Sequence, residues 1–141
     1  MSDGPMAHLV GRRVPGGTYR MEPYESRLAR EALHAVADDE PHPVMAFIGV
    51  QRGMGCSVRE LFELLEFDID DGPLLARTTI SVPAALHTDT PYAVAGAVTD
   101  VRRKSGRALG DFDLVTCEFT MDDATGRAAT VTNVYALRRS A

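Results

Sequence analysis

Asp38, Asp39 and His42 stand together in the stretch Asp-Asp-Glu-Pro-His-Pro, residues 38–43. A histidine titrates near neutrality, so it can take a proton from water and return one at physiological pH. A carboxylate three or four residues away can orient that water or shuttle a second proton. Just downstream, Gly49, Gly53 and Gly55 let the backbone approach a ligand closely. Backbone N–H groups in such a turn can stabilise an oxyanion as it develops. Met45, Phe47 and Met54, set among those glycines, are candidates to line an apolar pocket. Each of these residues also has a plainer reading: His42 as the residue that fixes a Pro-His-Pro turn, the aspartates as helix-end residues, and the methionines and phenylalanine as core.

Other chemistries find no support. Ser57 and Ser81 lack a glycine elbow, and Cys56 lacks an evident base. Cys56 and Cys117 have no metal-ligand spacing, and a cytosolic protein seldom bridges such a pair. The acidic stretch Asp68, Asp70, Asp71 is followed by Gly72 and Pro73 and reads as a turn, because a calcium loop needs a longer ligand set closed by a glutamate. No glycine-rich phosphate loop is present. The sequence therefore implies neither a metal nor a cofactor.

The elements that would position the candidate residues follow from periodicity. Residues 24–36 read as an amphipathic helix: Pro23 suits its first position, and Leu28, Ala29, Ala32, Leu33, Ala35 and Val36 form an apolar stripe. The small stripe residues would let a sheet approach closely, so this segment is expected to be the central helix. Residues 37–56 then read as a long apolar loop, packed against the body and lining a pocket. Ser57, with Glu60 three residues later, opens a second helix through a capping box. Thr18 to Met21 suggests a short strand, and strand patterns follow at 74–82, 92–103, 111–121 and 128–138. Within these, Val115, Cys117, Phe119 and Met121 share one face, as do Ala129, Val131, Asn133, Tyr135 and Leu137. A helix followed by long antiparallel strands reads as α+β, one long antiparallel sheet wrapped around a central helix.

Length and charge bound the rest. The 141 residues suit a single domain, with 1–7 as a loose tail. A net charge of −5 disfavours nucleic acid as a partner. The densest basic group, Arg102, Arg103, Lys104 and Arg107, reads as a solvated hairpin tip. No apolar run is long enough to span a membrane, and the first ten residues lack a signal-peptide core, which points to the cytoplasm. Of the other histidines, His34 is expected on the exposed helix face and His8 in the tail, while His87 lies between strands, where it could approach a pocket or partner.

The order of elements resembles the hotdog fold, and the second half resembles the MaoC-like acyl dehydratases. The likeness rests on Gly72-Pro73-Leu74-Leu75 opening one strand, Thr90-Pro91-Tyr92 opening the next, residues 101–107 at its end, and Thr132-Asn133-Val134-Tyr135 near the terminus. It spans residues 10–138. It implies a substrate that is an acyl thioester of coenzyme A or acyl carrier protein, with hydration of a trans-2-enoyl group or dehydration of a 3-hydroxyacyl group as the reaction. It also implies a dimer, either of identical chains or with a related hotdog subunit, with the acyl pocket at the interface. The family's signature is an aspartate, then Asn-Pro, then a histidine two residues past the proline. Asp38 matches the aspartate, Glu40 replaces the asparagine, and His42 follows Pro41 directly, so that Pro43 holds the histidine's usual place. On this resemblance His42 would be the base and Asp38 or Asp39 its partner. The family also contains subunits that have lost the dyad and shape the acyl pocket of an active partner. A hotdog thioesterase, which would use a carboxylate on the central helix, ranks lower because Glu31 falls on the polar side of the 24–36 helix.

Overall fold

A computed structural model describes residues 4–108 and 110–139. Five antiparallel strands form one sheet in the order β1-β3-β4-β5-β2. They are β1 (Gly17–Arg20), β2 (Leu74–Ser81), β3 (Pro91–Gly106), β4 (Gly110–Asp123) and β5 (Gly126–Arg138). Three helices precede the long strands: α1 (Pro23–Ala32), α2 (Val44–Gly53) and α3 (Val58–Leu64). The last three strands form an antiparallel meander, and inward positions alternate along most of β4 and β5. Val115, Cys117, Phe119 and Met121 on β4, and Ala129, Val131, Tyr135 and Leu137 on β5, are all buried against the helices.

The sheet wraps around α2, which corrects the expectation that the 24–36 segment is the central helix. That segment ends sooner, at Ala32, and lies outside: Leu28 is 56% exposed and Val36 84% exposed, and only Ser26 of α1 is buried. The reason lies in the two sequences. The α1 stripe is thin and bordered by arginines and glutamates. Residues 44–53 are apolar on nearly every side, and a helix of that kind belongs in the interior. Gly49 and Gly53, read as loop markers, lie one helical turn apart on the face that meets the sheet. A β-carbon on Gly49 would come within 2.8 Å of Tyr19 Cδ2 and 3.0 Å of Met121 Cε, and one on Gly53 within 2.5 Å of Val94 Cγ2. They are the small residues that let helix and sheet close.

The ends of the helices are set locally. Glu22 N–H donates to Glu25 Oε2 at 2.7 Å at the start of α1. The chain then reverses through His34, whose φ of 55° is unusual for a residue with a side chain. Ser57 caps α3 as the sequence predicts: its Oγ accepts from Glu60 N–H at 3.0 Å, and its own N–H donates to Glu60 Oε1 at 2.9 Å. Within the segment expected to be a loose tail, Met6 already packs on the core, and the 3-10 turn Ala7–Leu9 buries Leu9 completely. Residues 1–3 lie outside the described residues.

Two features of the sheet bear on function. β2 is an edge strand with almost no buried side chain, and Leu74 and Leu75 are each about half exposed. An uncovered edge of this kind presents free N–H and C=O groups to another chain. The second feature is Asp113, which shares the buried face of β4. Arg103 of β3 and Arg139, just past β5, hold its carboxylate at 2.6 and 2.9 Å. With Arg102 paired to Asp100 at 2.9 Å, two of the basic residues near the β3–β4 turn are already engaged in ion pairs.

Candidate functional site

The candidate dyad lies in residues 35–43, the link between α1 and α2. Arg30 pins this link to α1, donating from Nε and Nη2 to the Glu40 carbonyl at 2.9 and 2.6 Å and from Nη1 to the Val36 carbonyl at 3.2 Å. Asp38 turns its carboxylate back on the chain, where Oδ1 accepts from Glu40 N–H at 2.9 Å. That bond is an Asx turn, the local use to which aspartates before a proline are often put. Pro41 is buried and His42 half-buried.

His42 faces α2. Its Nδ1 accepts from Val44 N–H at 3.0 Å, and its carbonyl accepts from Met45 N–H at 2.9 Å. The imidazole therefore satisfies one of the N–H groups left open at the helix start. A ring nitrogen that accepts carries no proton, so in the neutral ring the proton sits on Nε2. Among the described residues no hydrogen bond or ion pair joins His42 to Asp38 or Asp39. Replacing His42 by alanine removes this capping bond, and a cap is worth about 1 kcal/mol. Thermal unfolding of His42→Ala is expected to show a melting temperature a few degrees lower.

A cleft of about 690 Å³ opens beside the link, lined by α1 residues Tyr24, Arg27, Leu28 and Glu31 together with Asp38 and Asp39. Both aspartates thus reach one cavity, but His42 is not part of its wall. The other candidates are scattered along α2. Met45 is buried on the side toward α1, and Phe47 is half-buried. Gly49 and Gly53 meet the sheet, as described above. Gly55 lies beyond the helix with φ of 82°, its Cα packed on the backbone of Gly16. Met54 lines a second, smaller pocket of about 190 Å³ at the C-terminal end of α2, together with Val58, Leu61, Leu75, Phe119 and Tyr135.

Burial governs the remaining ionisable groups of the interior. It pushes the Tyr135 phenol up to about 12 and the Cys117 thiol up to about 12. Cys56 is also raised, by burial and by the neighbouring Glu60. Both thiols are thus held in the protonated, unreactive form at neutral pH. Tyr19 is raised to about 12 by burial, with Glu25 beside it as a further cause. Among the described residues no cluster of histidine, cysteine and carboxylate side chains could hold a metal ion. No described helix is long and apolar enough to cross a membrane.

One polar feature escaped the reading of the sequence as a functional element. The Thr78 hydroxyl of β2 is hydrogen-bonded to Asn133 Oδ1, and Asn133 Nδ2 donates to the Tyr135 hydroxyl at 3.1 Å. The signal was available: Asn133 stands at an inward position of an otherwise apolar alternation, and a buried amide must find partners.

The sequence matches no family model and no curated protein. Solved structures do share its architecture. A chain of the ChsH1-ChsH2 complex from Mycobacterium tuberculosis superposes with a TM-score of 0.69 at 12% identity, over 92% of this chain and 86% of the other. The HadBC (3R-hydroxyacyl-ACP dehydratase) complex from the same organism gives 0.69 at 10% identity, over 91% of this chain and 96% of that one. A MaoC-like dehydratase from Rhodospirillum rubrum gives 0.59 at 15% identity, over 94% of each chain. The fold is therefore the hotdog fold, an antiparallel sheet wrapped around one helix. In structure the chain is similar to the MaoC-like dehydratases and hydratases within that fold.

Proposed function

We propose that this chain is an acyl-thioester-binding hotdog subunit that works in a dimer with a related hotdog subunit, the partner carrying the acid–base machinery. The observation that carries this reading is the state of the dyad. The Nδ1 of His42 accepts from the start of α2, and the Asp38 carboxylate is turned into its own loop. Neither group orients the other, and general acid–base catalysis needs a base oriented toward the proton it abstracts. The slipped motif accounts for this: with Pro41 and Pro43 fixing φ on both sides, the ring of His42 is committed to the helix that follows.

Two further observations support the reading. Two of the structural neighbours are complexes of more than one subunit, by their own names. The exposed β2 edge, with Leu74 and Leu75 uncovered, offers a second hotdog sheet a strand to pair with. One structural neighbour is named for a hydroxyacyl-ACP substrate and another for fluoroacetyl-CoA, which supports acyl carrier protein or coenzyme A as the carrier.

A second reading keeps the chain as a hydratase or dehydratase in its own right. It is favoured by the Nε2 of His42, which has no hydrogen-bond partner among the described residues, and by the cleft that Asp38 and Asp39 share. Isothermal titration with acyl-CoA and a hydration assay separate the two: binding without turnover supports the binding subunit, and turnover that depends on His42 supports the enzyme.

A further inference from the structure

The pocket at the C-terminal end of α2 carries no charged side chain. Its base and rim differ in burial: Met54, Leu61, Phe119 and Tyr135 are 1–6% exposed, whereas Val58 and Leu75 are 42% and 48% exposed. It is therefore an apolar recess with a buried floor and an open mouth, placed between α3 and the uncovered β2 edge. Concave apolar recesses of this kind are where apolar ligand groups bind.

Resting on the acyl-thioester reading above, we propose that this recess seats the acyl chain, that it accepts chains of up to about six carbons, and that Phe119 and Tyr135 set this limit. The volume is about 190 Å³. An apolar cavity of about 150 Å³ holds a benzene-sized guest, so this one suits a chain of roughly six carbons. Its floor is rigid. Asn133 Nδ2 holds the Tyr135 oxygen at 3.1 Å, and the Phe62 ring meets the Tyr135 ring edge-on at 5.1 Å and 78°. The phenol is uncharged at neutral pH, and burial raises its pKa further. A fixed, uncharged floor stops a growing chain where a mobile one would yield.

The position also bears on which group acts on the bound chain. His42 stands before the N-terminus of α2, and the recess lies at the other end, about 15 Å of helix away. A short chain seated in the recess is out of reach of His42 in the same protomer. The recess opens instead beside β2, where a partner subunit can present its own catalytic groups.

The test is titration calorimetry of the purified chain with butyryl-, hexanoyl-, octanoyl- and dodecanoyl-CoA, repeated with Val58→Trp. Val58 is exposed at the first turn of α3, so an indole there covers the mouth while the core stays intact. The wild type is expected to bind about fourfold tighter for each methylene added between butyryl- and hexanoyl-CoA, with no further gain from hexanoyl- to octanoyl- or dodecanoyl-CoA. In Val58→Trp, with an unchanged circular dichroism spectrum, the gain per methylene is expected to vanish. Equal wild-type affinity at every length, as when a partner's side chain fills the recess, overturns the assignment and leaves the proposed function standing. So does a folded Val58→Trp that keeps the wild-type increments. No binding of any of these acyl groups, whether carried on coenzyme A or on acyl carrier protein, overturns both.

Discussion

Asp113→Ala is expected to lower the melting temperature by roughly 10 °C, the equivalent of about 3 kcal/mol. Asp113 has no exposed side-chain surface, and its oxygens are held by Arg103 Nε at 2.6 Å and Arg139 Nε at 2.9 Å. Arg139 does more than neutralise it. It donates to the Leu65 and Glu66 carbonyls at 2.9 and 2.5 Å, and its guanidinium sits 5.6 Å from the centre of the Phe67 ring. One carboxylate therefore fastens β3, β4 and the segment after β5 to the end of α3. Removing it leaves two guanidinium groups without the carboxylate they share, Arg139 only 13% exposed. Breaking a buried pair from one side costs about 3–5 kcal/mol, and the partial exposure of Arg103 places this case at the lower end. Differential scanning calorimetry of the variant decides the matter. A shift under 2 °C would mean that the arginines rearrange into solvent without loss and that the clamp does not hold the sheet to α3.

The second large effect is expected at the contact between α2 and the sheet. Gly53→Leu introduces a branched side chain where even a β-carbon would lie 2.5 Å from Val94 Cγ2 and 3.2 Å from Tyr19 Cβ. Both neighbours are buried, at 3% and 5% exposure, and belong to paired strands, so neither can swing aside. Overpacking of this kind costs about 1–3 kcal/mol or somewhat more. Removing glycine from a helix recovers up to about 1 kcal/mol of that through propensity. A net loss of roughly 2 kcal/mol or more is expected in urea unfolding, with an unchanged slope. Leu28→Gln on α1 is the control. That residue is 56% exposed, and the change is expected to stay within about 0.5 kcal/mol. The reverse ranking would put the sheet around α1.

The same pair of helices shows what was legible in the sequence. Strands β4 and β5 were, because one face of each is buried and the period of two leaves little freedom: Val115 through Met121 and Ala129 through Leu137 lie inward as their alternation demands. Ser57 and Glu60 were legible because a capping box is a local device. The choice of central helix was not. Amphipathicity marks a helix at a surface, so it singled out α1, whereas α2 has apolar residues on nearly every side and two glycines that resemble loop punctuation. Those glycines become meaningful only opposite Tyr19, Val94 and Met121, which are distant in sequence. The candidate site was legible as a stretch, since residues 38–43 do connect the two helices. Its internal geometry was not, because the direction of the His42 ring depends on where α2 begins, and α2 itself was read as a loop.

The central claim is that this chain binds acyl thioesters but leaves the proton transfers to a partner. The purified wild-type chain, mixed with crotonyl-CoA and followed at the enoyl thioester absorbance, tests it most directly. The prediction is saturable binding by calorimetry and no loss of absorbance above the uncatalysed rate. Hydration that His42→Ala abolishes in an otherwise folded protein would contradict it, and would make His42 the base of an enzyme complete in one chain.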